Sequence, residues 1–154
     1  MANSYRQWSE VIEWSTEYPV AMQKAWVAAA LVGVDTDDTE ENKQELAERG
    51  IVLTAVSNDD TITSWPDFDW SFVGRGIWVR SEEGGDLEHL AAFVQSFLKK
   101  FAPTACLQVC WADWCDKLRA GEFGGGVVVI WVDKVKWAHA ADVGHDMMIG
   151  RYEP

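Results

Sequence analysis

The chain has 154 residues, is 48% hydrophobic and 25% charged, and carries a net charge of -12. One domain, residues 1–154, is expected from that length, with a core able to bury roughly 68–70% of the extended surface, and wholesale disorder is excluded. The sign of the charge opposes direct binding to nucleic acid or to an anionic membrane.

From Tyr5 to Trp14, the apolar residues Trp8, Val11 and Ile12 predict one face of a short helix. The cluster Ser15-Thr16-Glu17-Tyr18-Pro19 starts a second helix over residues 19–32, with Pro19 tolerated in its first turn. An acidic loop follows, Asp35-Thr36-Asp37-Asp38-Thr39-Glu40-Glu41. Thr39 caps a helix that ends before Gly50, a residue suited to a helix stop. The β-branched run Ile51 to Val56 predicts a strand, and Ser57 to Ser64 a polar turn region.

Asp67 to Val73 alternates, with Phe68, Trp70 and Phe72 on one face and Asp67, Asp69 and Ser71 on the other. Gly74-Arg75 turns the chain into a returning strand, Gly76 to Arg80. Asp86 caps the strongest helix, which runs to Phe101 or Ala102 before Pro103. Its Leu87, Leu90, Ala91, Val94, Phe97, Leu98 and Phe101 form a core stripe. Ala105 to Ala112 and the doubly apolar Val127 to Val132 are strands, joined by a loop from Trp114 to Gly126. Asp133 caps a short helix containing Trp137, and Gly144 to Pro154 is loosely ordered. The expected class is α+β, a mostly antiparallel sheet of about five strands with helices on one face.

Chemistry is less well signposted. Cys106, Cys110 and Cys115 lack the paired short spacings of a zinc site and are expected to be buried thiols; no metal and no cofactor are expected. An odd cysteine count and an N-terminus, MANSYRQWSE, without a basic stretch before an apolar run lead to the expectation of a cytoplasmic protein. Asp35, Asp37 and Thr39 begin like a calcium loop, but Glu40 and Leu46 stand where glycine and a bidentate glutamate are required. The segment Gly121-Glu122-Phe123-Gly124-Gly125-Gly126 leads into a strand, whereas a phosphate-binding loop leads into a helix. Three scattered histidines build no catalytic triad, and no nucleophile elbow is present, so an enzyme has little support.

The segment from Trp111 through Cys115, Lys117, Arg119 and Gly121-Glu122-Phe123 to Gly126 resembles a group of uncharacterised small proteins of bacteria, phages and mobile elements. In that group a tryptophan precedes Cys-x-Lys-x-Arg-x-Gly-Glu-Phe-Gly-Gly-Gly and an apolar strand. The likeness spans about residues 65 to 137 and includes the Trp65 to Phe72 hairpin. The group brings no activity; it implies a mobile-element habitat, one rich in small acidic inhibitors of host defence.

Residues 1–98 hold 18 acids against 6 bases, whereas residues 99–154 hold 7 of each. The function expected from this asymmetry and from ten tryptophans is protein–protein interaction. An inhibitor of the anti-CRISPR or another anti-defence type would mimic DNA toward a host protein with a basic nucleic-acid-binding surface. The residues expected to carry it are Asp35, Asp37, Asp38, Glu40, Glu41, Asp59, Asp60, Asp67 and Asp69. The alternative is a small enzyme or anion-binding protein centred on Lys117, Arg119, Glu122, Gly124 and Gly125.

Overall fold

A computed structural model describes residues 4–34, 40–52, 65–118, 120 and 123–150. In chain order the elements are β1 (Ser4–Glu13), α1 (Val20–Ala30), α2 (Glu40–Glu48), β2 (Asp69–Val73), β3 (Gly76–Ser81), α3 (Leu87–Phe101), β4 (Cys106–Cys115), β5 (Gly124–Trp131), β6 (Val135–His139) and α4 (Ala140–Met148). The six strands form one sheet in the order β2-β3-β1-β4-β5-β6, every neighbour antiparallel. The class is α+β as expected, with one strand more than the sequence suggested. Among the described residues, no helix is long and apolar enough to cross a membrane.

The extra strand comes from two segments expected to be helical. In β1, Trp8 and Ile12 are buried, and a spacing of four suits a strand face as well as a helix face. Pairing decides between them: β1 joins β3 from Trp8↔Ser81 to Glu13↔Gly76 and β4 from Ser4↔Cys115 to Trp8↔Trp111. The segment around Trp137 is likewise a strand, not a helix. Asp133 lies in the β5–β6 turn instead of capping a helix, and the Trp131 N–H donates to the Lys134 carbonyl at 2.9 Å across that turn. α4 then takes in Gly144 to Met148 of the stretch expected to be loose, packing on β5 and β6, and residues 151–154 of that stretch lie outside the described residues. The loop expected from Trp114 to Gly126 shrinks from both ends, because β4 continues to Cys115 and β5 begins at Gly124. Ile51 and Val52 are not in a strand; the remainder of the 51–56 expectation lies outside the described residues.

α3 is buried nearly all round. Asp86 caps it as expected, Oδ1 accepting from the N–H groups of Glu88 (2.8 Å) and His89 (3.4 Å). One side meets the sheet; on another, Trp26 of α1 lies against Phe93, Phe97 and Phe101. α1 therefore rests on α3. Gln23, fully buried in α1, pins the β1–α1 connection: its Nε2 donates to the carbonyls of Ser15 and Tyr18, and its Oε1 accepts from the Ser15 N–H.

Along β4, odd positions turn inward (Val109, Trp111, Cys115) and even ones outward. This corrects the cysteine expectation: Cys106 and Cys110 are exposed and only Cys115 is buried. Both thiols do share a face, and that face is open.

Candidate functional site

The β2–β3 hairpin forms as its alternation predicts, from Asp69↔Arg80 to Val73↔Gly76. Phe68 is buried, Trp70 half-buried and Phe72 exposed, so the aromatic face emerges from the core along this edge strand. Just before β2, backbone bonds fold the chain onto the start of α3. The Asp86 N–H donates to the Asp67 carbonyl at 2.9 Å, and the Gly85 N–H donates to Ser81 Oγ at 2.6 Å. Trp8 Nε1 reaches the Gly85 carbonyl from beneath. Gly85 has no room for a side chain, since a Cβ there would approach Ser81 Oγ to 2.5 Å.

Between these segments lies an open cleft of about 390 Å3, lined by Asp67, Asp69, Glu82 and Glu83 together with Pro66 and Phe68. Asp86 and Glu88 continue the acidic surface onto the first turn of α3. None of the four lining carboxylates forms an ion pair with lysine or arginine among the described residues. Arg80, across from Asp69, donates instead to Ser71 and to the Trp78 carbonyl and lies over the Trp78 ring. Burial raises the pKa of Asp67; His89 works against that rise and the Asp86 charge adds to it. Glu88 is raised by burial first and then by the Asp86 charge.

His89 forms the wall behind these acids. Its Nδ1 accepts from the Asp67 N–H at 3.1 Å, which places its proton on Nε2, 3.6 Å from Asp86 Oδ2. Burial lowers its pKa despite Asp86 and Asp67 nearby, so the ring is neutral at pH 7. Its role is to hold the cleft backbone.

Of the acids expected from sequence, the cleft unites Asp67 and Asp69. Glu40 and Glu41 lie exposed in the first turn of α2, outside that lining, where they suit the helix dipole. Asp35, Asp37, Asp38, Asp59 and Asp60 lie outside the described residues. Sequence reasoning missed Glu82, Glu83, Asp86 and Glu88, taking them for a loop and a cap. The available signal was four acids from Glu82 to Glu88 directly after a strand that pairs with Asp69.

At the alternative location, Lys117 is exposed, while Arg119 and Glu122 lie outside the described residues. The glycines there serve packing. A Cβ on Gly125, whose φ is 151°, would strike the Trp111 carbonyl, and one on Gly126 would come within 2.6 Å of the Trp111 ring. Gly124 faces open space. Beside them Arg6 is already neutralised, its Nε donating to Asp113 Oδ1 at 2.8 Å while Trp111 Nε1 donates to Oδ2. Burial would raise the Asp113 pKa, but the bonds from Arg6 and Trp111 outweigh it and the pKa is lowered.

No family model matches the chain, and neither a curated protein nor a solved structure does.

Proposed function

We propose that this protein is an intracellular inhibitor that binds a nucleic-acid-handling protein, presenting carboxylates to the basic surface on which that protein holds phosphates. The observation that carries the reading is the cleft itself: Asp67, Asp69, Glu82 and Glu83 converge without a cationic partner among the described residues. Unpaired like charges repel one another, and a fold keeps them together at a cost that a cationic partner would relieve. Asp67 and Asp69 alternate along an extended segment, a repeat of about 6.7 Å. A second lysine- or arginine-rich surface then supplies what the acids lack. The resemblance of residues 111–126 to proteins of phages and mobile elements agrees with a target in host defence.

The test is capture from bacterial lysate on immobilised protein, with elution by salt and by duplex DNA. Capture of a nucleic-acid-binding protein is expected, released by DNA and lost at high ionic strength. The triple variant Asp69→Asn, Glu82→Gln, Glu83→Gln should fail to capture it, whereas Lys117→Ala should capture it normally. Equal capture by the triple variant, or loss in Lys117→Ala, would falsify the assignment.

A further inference from the structure

The sheet is not closed along its whole length. β1 pairs with β4 only as far as Trp8↔Trp111. Beyond that point, among the described residues, Ser9 to Glu13 pair with β3 alone, and Cys106 to Cys110 pair with β5 alone. The two strands diverge around a cavity of about 340 Å3, within the range of ligand-binding clefts. Phe97 and Leu98 of α3, with Ala102 just after the helix, form its floor. Its walls are Glu10 to Glu13 on one side and Cys106 to Gln108 on the other.

Strand parity shows which backbone groups face the gap. The Trp14 N–H donates to the Arg75 carbonyl, so the even positions of β1 point toward β3. Ser9, Val11 and Glu13 therefore point toward β4. Continuing the Tyr5↔Trp114 and Gln7↔Ala112 pairing would set them opposite Cys110, Gln108 and Cys106. Those partners are missing. The Val11 N–H is taken up instead by the carboxylate of its own neighbour, Glu10, at 2.8 Å. A side chain thus stands in for an absent strand.

We infer that the gap between β1 and β4 is a binding site for an extended peptide segment of a partner protein, which enters as an additional strand over the α3 floor. Two facing strand edges, unpaired among the described residues, recognise one chemistry, an extended backbone with donors and acceptors on both sides. The floor selects apolar side chains on the inward face. Glu10 and Glu13 stand on the β1 wall, where Arg75 is the one cationic residue among the described lining residues and pairs with Glu13 at 3.3 Å. A peptide carbonyl that bonds to the Val11 N–H displaces the Glu10 carboxylate, and a lysine or arginine of the peptide then meets it. The occupant is accordingly an extended segment alternating apolar and basic residues. The inference rests on strand edges and not on the acidic cleft, so either can fail alone.

The probe is a short acetylated and amidated peptide of alternating valine and lysine, titrated against the whole protein by two-dimensional NMR. Its control is the same peptide N-methylated at alternate residues, which keeps every charge and removes backbone donors. In the free protein the amides of Ser9, Glu13, Cys106, Gln108 and Cys110 should exchange faster than those of Tyr5, Gln7, Ala112 and Trp114. The probe should slow them, the methylated peptide should bind at least about tenfold more weakly, and Glu10→Gln should weaken binding of the probe alone. Equal affinity for the methylated peptide, shifts confined to the acidic cleft, or no shift of the wall amides at millimolar peptide would each overturn the site.

Discussion

At the scale of single residues, Gln23 and His89 show buried polar groups working as fasteners. Gln23 satisfies one N–H and two carbonyls where the chain leaves β1 for α1. Gln23→Leu would keep the volume and strand those groups, so a loss of about 3 kcal/mol in denaturant unfolding is expected. His89 makes a pH prediction. Its folded pKa is lowered below 6.5, so the unfolded chain binds more protons, and stability falls as pH drops below about 6.5. Asp67 and Glu88 act oppositely: with folded pKa values raised above 3.8 and 4.5, they regain stability as pH falls further toward those values. Between pH 7.5 and 5.5 the histidine should dominate. The unfolding midpoint should drop in the wild type and stay flatter in His89→Gln, which can still accept from the Asp67 N–H. An identical drop in both proteins would assign the effect elsewhere.

At the scale of elements, the β2 edge and the start of β5 make graded predictions. Phe68, Trp70 and Phe72 share a face but run from buried to exposed. Alanine at Phe68 should cost about 3–5 kcal/mol, at Trp70 roughly half as much, and at Phe72 about 1 kcal/mol or less. Asp69→Ala should stay within about 0.5 kcal/mol. Equal losses along the three aromatics would mean that β2 is not an edge strand leaving the core. In β5, Gly126→Ala should destabilise by about 1–3 kcal/mol, because its Cβ meets the Trp111 ring. Gly124→Ala, facing open space, should be near neutral. A neutral Gly126→Ala together with lost partner binding would instead make the glycine loop a site.

At the scale of the whole molecule, net charge and architecture meet in the salt dependence. A chain of net charge -12 repels itself, so added salt should raise its own stability while weakening its grip on a basic partner. Opposite salt slopes for the melting temperature and for partner affinity are the signature of the acidic reading. Parallel slopes would point to an uncharged docking surface.

The sequence by itself determined the elements whose signals are local. α3 was legible from its repeat of three and four, its Asp86 cap and Pro103, and the β2–β3 hairpin from alternation around Gly74-Arg75. Gly50, with φ of 82°, ends the α2 region as its type demands. Half of the acidic cleft was legible too, because Asp67 and Asp69 alternate against aromatics. What only the tertiary structure decided depends on partners distant in sequence. Trp8 and Ile12 fit either a helix or a strand, and strands β3 and β4, far along the chain, settle the matter. Trp137 became a strand residue because β5 offered an edge, and its ring meets Trp111. Cys106 and Cys110 lie exposed because the described helices do not bury the even face of β4, which no local pattern could reveal. Glu82 and Glu83 joined Asp67 and Asp69 only when backbone bonds folded the start of α3 against the chain ahead of β2. The gap between β1 and β4 is likewise a property of divergent pairing, which exists in no single segment.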